Sequence, residues 1–276
     1  ADVEREKRLM IEQIENELND KRYYALKRCT EIMCKNEVYA MSRCGDIEDI
    51  KKIDCEAVTA AWKKMLETAT VYIGVTGSMD AEPIKQKFAE KFSTVNRTKL
   101  AELHTEFITS ADETTKVREE LPVKQGKLVL GMRAGMVDDE DNYIPIKVMS
   151  DIFGGGVYSK LFNNVREKMS LCYYCSAGFN RSKGLIMVQS GIENENEQKA
   201  IDAILNELED MKKGNFSDDD LTSSIKALTN LSLVNDTPEG LDRWYCGQML
   251  DRDIITPEEY AEQISEDPLI TGVIEK

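Results

Sequence analysis

The sequence predicts an α+β protein made of two units of antiparallel-rich sheet covered by helices. Strand-like and helix-like runs are interspersed along the chain. Two strand-like runs, 172–180 and 185–191, flank the short turn Arg181-Ser182-Lys183-Gly184 and predict a hairpin. Amphipathic helical runs then crowd the C-terminal part.

From the N-terminus, Glu4 to Lys35 reads as one long amphipathic helix, with Ile11, Ile14, Leu18, Ala25, Cys29 and Ile32 on its apolar stripe. A loop with a turn at Gly45 follows. Asp54 is placed to cap a helix with the stripe Val58, Ala61, Trp62 and Met65. Thr70 to Val75 is β-branched and aromatic and predicts a strand. Asp80 caps the next helix, with Pro83 tolerated in its first turn and Ile84, Phe88 and Phe92 inward.

The polar, weakly periodic stretch from Asn96 to Pro122 reads as a linker. Expected domain bounds are 1–96, a linker at 97–124, and 125–276. In the second part, a strand is predicted over Lys127–Arg133 and a helix over Asn142–Phe153. A helix over Glu195–Lys213 turns Ile201, Ile204, Leu205, Leu208 and Met211 inward. Ser217 with Asp220 forms a capping pattern. Thr237-Pro238 and Thr256-Pro257 each set a cap before a proline at the first helical position, and Glu259 completes a capping box with Thr256.

The most informative stretch is 154–174, GGGVYSKLFNNVREKMSLCYY. Gly154, Gly155 and Gly156 read as a hinge whose backbone angles are closed to other residues. Tyr158 to Lys168 reads as a helix with Leu161, Phe162, Val165 and Met169 on one stripe, and Leu171 to Ser176 as a strand. Arg166 and Tyr173 flank that helix-to-strand turn. An arginine and a tyrosine aimed into one cleft would form a fixed pair of donors for a carbonyl oxygen or an oxyanion.

These residues carry a resemblance. Gly154-Gly155-Gly156, Ser159-Lys160-Leu161-Phe162, Val165-Arg166-Glu167 and Leu171-Cys172-Tyr173 resemble the second-domain pattern of the insulinase/pitrilysin zinc peptidases, which include the mitochondrial processing peptidases. Gly45-Asp46-Ile47-Glu48-Asp49-Ile50 and the strand–helix unit ending at Phe92 are similar to the family's first domain. The resemblance implies an insulinase-like metallohydrolase fold. It also implies that Arg166 and Tyr173 reach substrate bound at the zinc of the other half. Against the family's domains both ends look cut, and Ala1 stands where no initiator methionine does.

The family's zinc is held by two histidines of H-x-x-E-H and a glutamate on the following helix. This chain has one histidine, His104, in the linker. The glutamate position falls on Gln13, a neutral amide and a poor zinc ligand. No metal is therefore expected in this chain, and no catalytic residue in the chain alone. Cys172-x-x-Cys175 is expected to face opposite sides of a strand, so that the pair would not chelate an ion. No glycine pattern here fits a phosphate or dinucleotide loop.

Composition narrows the partners. A net charge of −15 disfavours nucleic acid and anionic membrane. No apolar run reaches the roughly 20 residues of a membrane span. Seven irregularly spaced cysteines fit reduced thiols in a cytoplasm. The sequence thus predicts a non-catalytic, peptide-binding subunit, inactive alone, acting on a peptide or small-protein substrate. It would pair with a zinc-bearing sibling or with itself as a homodimer. The alternatives are an active zinc endopeptidase whose H-x-x-E-H lies upstream, and a structural or peptide-binding protein without a catalytic role.

Overall fold

The structure, a computed structural model, describes residues 2–98, 101, 106–135, 143–180, 183–233, 237–249 and 254–266. In chain order the helices are α1 (Asp2–Asn16), α2 (Lys21–Met33), α3 (Ile47–Lys52), α4 (Cys55–Thr68), α5 (Ala81–Ser93), α6 (Tyr143–Gly154), α7 (Glu197–Lys212), α8 (Asp218–Leu233), α9 (Pro238–Gln248) and α10 (Pro257–Glu266). The strands are β1 (Gly126–Arg133), β2 (Cys172–Asn180) and β3 (Leu185–Ile192). A π-helix, Leu161–Lys168, joins α6 to β2. The architecture is α+β.

The chain groups into two compact units, neither consecutive in sequence. The first takes Ala1–Asn16, Ser42–Thr105 and Leu233–Pro257; the second takes Glu17–Met41, Glu106–Ser232 and Glu258–Lys276. This partition by contact cuts across the segments 1–96, 97–124 and 125–276, which rest on resemblance to the family's domains.

The single helix expected over Glu4–Lys35 is broken. The Asp20 carboxylate accepts the backbone N–H groups of Arg22 and Tyr23, both at 3.0 Å, and starts α2 afresh. A short acidic side chain competes for backbone donors in this way, which outweighs the continuity of the apolar stripe.

In the first unit, local capping follows the sequence closely. Asp46 caps α3 after Gly45, whose φ is +75°. Asp54 accepts from Ala57 N at 2.8 Å and Asp80 from Glu82 N at 3.2 Å. Thr237 accepts from Gly240 N at 3.0 Å and starts α9. The expected strand over 70–75 does not form. This stretch runs extended and largely exposed, with no ladder partner among the described residues, and a strand exists only where neighbouring backbone takes its hydrogen bonds. For the same lack of a covering layer, Val58, Trp62 and Met65 of α4 and Phe88 of α5 are exposed rather than inward.

The second unit is built on the sheet β1-β3-β2, antiparallel throughout. The hairpin pairs Asn180 with Leu185, and β1 pairs Gly126 with Ile192 through Arg133 with Leu185. Side chains alternate between faces. On one face Gly131 leaves room for Met33 and Cys29 of α2. On the other, Val188, Ser190, Ile192 and Cys175 are buried, and α6 packs against β2. Phe153, Leu161, Val165, Ile204 and Ile264 complete that core. Ser217 and Asp220 cap α8 reciprocally, Asp220 N donating to Ser217 Oγ at 3.1 Å and Ser217 N to Asp220 Oδ2 at 2.9 Å.

The buried stripe of α7 is Ala200, Ala203, Ile204, Glu207 and Met211; Leu205 is exposed. The helix is rotated from its expected face because Glu207 turns inward to accept from Asn164 Nδ2 at 2.8 Å. The glycine hinge also differs in its physics. None of Gly154, Gly155 and Gly156 has a positive φ. Gly154 is there for close approach: a Cβ on it would sit 2.3 Å from the backbone N of Ala177 on β2. Gly154→Ala is therefore expected to cost about 2 kcal/mol or more, as overpacking against backbone does. Thermal denaturation checks this; an unchanged Tm would mean that α6 does not lie as close to β2.

Candidate functional site

The site grows from the π-helix. Leu161, Val165 and the nearby Ser159 are almost wholly buried and anchor it to the core. Its turns are wide, closing with Met169 N donating to Asn164 O at 3.0 Å, five residues back. Met169, expected on the inner stripe, lies past the last turn and is exposed. Ser170, at φ +53°, takes the chain out of the helix in a left-handed step.

β2 then opens with a bulge. Cys172 lies opposite Ile192 and Tyr174 opposite Gly191, so Tyr173 is the extra residue. Its unpaired carbonyl receives Arg166 Nε at 2.8 Å. The Arg166 guanidinium lies over the Phe162 ring, 4.4 Å from its centre, with Nη1 3.1 Å from Glu167 Oε1. The Tyr173 hydroxyl donates to Glu193, and that hydrogen bond holds the phenol above its ordinary pKa. Tyr173 is 51% exposed. Arg166 and Tyr173 are thus adjacent, the guanidinium gripping the tyrosine's backbone while the phenol turns to Glu193.

Sequence reasoning placed Phe162 only on an apolar stripe and gave Glu193 no role at the site. Phe162 and Glu193 flank the pair, Phe162 under the guanidinium and Glu193 at the Tyr173 hydroxyl. On the opposite face of the sheet, Arg22 lies 4.4 Å over the Tyr174 ring and donates to Gln189 Oε1 at 3.1 Å and Ser176 Oγ at 3.3 Å. Phe162 meets Arg166 locally, one turn away on the same helix, whereas Glu193, Arg22 and Gln189 are brought in only by the tertiary fold.

The two cysteines of the strand do not face apart. The bulge places both opposite alternate residues of β3, Ile192 and Ser190, and so on one face. The neighbouring Cys175 thiol, with help from Ser190 and Arg166 and against the effect of burial, lowers Cys172 to about 7. The neighbouring Cys172, with burial, pushes Cys175 upward.

The resemblance puts the family's glutamate ligand at Gln13, a neutral amide. Gln13 is exposed, and its Nε2 donates to Cys44 Sγ at 3.5 Å. Among the described residues no three His, Cys, Asp or Glu side chains gather in a metal-holding group. His104 lies outside the described residues. No helix among the described residues is long and apolar enough to cross a membrane.

A second cluster is structural. Glu37, 5% exposed, bridges Arg133 at the end of β1 and Lys183 before β3. Arg133 also donates to Ile108 O at 2.8 Å and Met33 O at 3.1 Å. Nearby, residues of the 106–122 stretch are tied down: Glu119 accepts from Arg28 Nε at 2.8 Å and Tyr24 Oη at 2.9 Å.

Comparison with known proteins places this geometry. The family profile described as "Peptidase M16 inactive domain" matches residues 52–228. The chain is similar to the "Probable inactive metalloprotease YmfF" of Bacillus subtilis (strain 168), 33% identical over 243 residues, covering 88% of this chain. It spans 57% of the length of that curated relative. Its fold is similar to a conserved protein from Enterococcus faecalis V583, with a TM-score of 0.79 at 22% identity, covering 99% of this chain and 65% of that one. It is likewise similar to a peptidase M16 inactive domain from Pseudomonas fluorescens, with a TM-score of 0.74 at 16% identity over 99% of this chain and 66% of that one.

Proposed function

Because this chain belongs to the M16 peptidase family, the family of insulinase and pitrilysin, we propose that it is the non-catalytic, peptide-binding partner of a zinc-bearing sibling. Its match is to the family's inactive domain. In this reading Arg166 and Tyr173 hold a peptide carbonyl while the sibling supplies metal and general base. The substrate is a peptide or small protein.

The observation that carries the reading is the built Arg166–Tyr173 pair: the guanidinium is fixed by the bulge carbonyl at 2.8 Å and by the Phe162 ring, yet keeps 36% of its side chain exposed. Such a preorganised donor suits an oxygen that gains charge. Gln13, an amide where the family places a carboxylate ligand, supports assigning the metal to another chain.

The test is peptidase activity of the complete gene product, alone and mixed with the family member of the same genome that carries H-x-x-E-H. The expected result is no activity for either alone and hydrolysis on mixing. Activity of this gene product alone would favour the endopeptidase alternative and overturn the proposal; silence in every combination would leave only a binding role.

A further inference from the structure

We propose that Cys29, Met33 and Met187 form a binding site for a soft monovalent metal ion, Cu(I). Their sulfurs gather at a notch that Gly131 leaves in β1. A Cβ built on Gly131 would lie 2.7 Å from Met33 Sδ, 3.1 Å from Cys29 Sγ and 3.3 Å from Met187 Sδ. Beyond its chain neighbours, these sulfurs are the three nearest atoms among the described residues. The fold builds the convergence from two sides. Cys29 and Met33 stand four apart on α2 and so share one face of the helix. Met187 stands directly opposite Gly131 in the ladder between β1 and β3. α2 packs on β1 and closes the group.

The donor set chooses the ion. Thiolate and thioether are soft ligands that suit Cu(I). Zinc draws its four ligands from cysteine, histidine and carboxylate, and two of the three donors here are thioethers. One thiolate also balances one positive charge, so the Cu(I) complex is neutral, whereas a divalent ion would leave net charge in a half-buried place. On binding, the Cys29 thiol gives its proton to water and its S–Cu bond forms, while each thioether donates a lone pair; nothing is oxidised or reduced. Methionine has three rotatable bonds, which let both thioethers close to metal–sulfur bonds of about 2.3 Å. All three residues are half-buried rather than sealed in the core. The site uses no residue of the Arg166–Tyr173 group.

The test titrates the intact chain with Cu(I) in the absence of oxygen, its methionine methyl groups labelled with carbon-13. Of the 12 methionines, Met33 and Met187 should shift with one equivalent of Cu(I) and the others should stay. Met33→Leu and Met187→Leu assign the two signals. Leucine matches methionine in volume, so both variants should fold. Each should hold Cu(I) against a competing chelator at least about tenfold more weakly, since even a supporting partner of a metal site is worth that much. Cys29→Ser keeps the exposed thiols of Cys55 and Cys246 and should nonetheless lose both methyl shifts. Wild-type signals that stay in place, or that move as readily with Zn²⁺ as with Cu(I), would overturn the proposal. So would leucine variants that hold Cu(I) as tightly as the wild type.

Discussion

Replacing Glu37 with alanine is expected to lower the stability of the protein by about 3–5 kcal/mol, the cost of leaving buried charge without its partner. The side chains of Glu37, Arg133 and Lys183 are 1%, 5% and 6% exposed. One carboxylate serves two cations here, so its removal strands both. They stand on three different segments, and the cluster locks the exit of α2 to the hairpin side of the sheet. The urea midpoint of Glu37→Ala against wild type is the measurement; a loss under about 1 kcal/mol would mean that water reaches the cluster.

The same cluster sets a pH dependence. Burial pushes the Glu37 carboxyl up, but the Lys183 ammonium and the Arg133 guanidinium paired with it outweigh that, and the net shift is downward. In the unfolded chain glutamate titrates at about 4.3. The contribution is therefore complete above that value and is lost as pH falls through the lower folded value, where the unfolded chain binds more protons. Glu37→Gln should remove this part of the acid slope.

Replacing Arg166 with alanine is expected to reduce kcat of the mixed, zinc-bearing assembly by about 10²–10³-fold, the scale for losing one donor to a developing oxyanion. KM should change less, because the donor matters most where charge develops. Arg166→Lys should not restore the rate. An ammonium lacks the planar fork that grips the Tyr173 carbonyl through Nε, meets Glu167 through Nη1 and still stays partly exposed. Folding should survive, since the cation–π contact with Phe162 is worth only about 0.5–1 kcal/mol. Unchanged kcat in a folded Arg166→Ala protein would reduce the arginine to a brace for the bulge.

Much of the fold was legible because its signals are local. Asp54, Asp80, Thr237 and the Ser217–Asp220 pair cap where the sequence places them. The hairpin pairs across its four-residue turn. Reading failed where a partner far along the chain decides the outcome. The 70–75 stretch has strand composition but no neighbour to pair with among the described residues. The Glu37 cluster joins residues from three segments, none singled out by pattern. Asp20 breaks a helix whose apolar stripe runs straight through it.

At the site, Arg166 and Tyr173 were legible as residues but not in their arrangement. Strand alternation alone sends Cys172 and Cys175 to opposite faces, whereas the bulge at Tyr173 reverses that, and bulges carry no dependable signal in a single sequence. The glycines of the 154–156 turn were read for their backbone freedom, while Gly154 serves to admit Ala177.

Zinc stoichiometry tests the central claim most directly. The complete gene product, purified alone and as a one-to-one complex with its H-x-x-E-H sibling, would be assayed by elemental analysis after dialysis against trace zinc. The account predicts no bound zinc alone and one zinc per complex, held by the sibling. One zinc per chain in the gene product alone would contradict it, and with it the reading of Gln13.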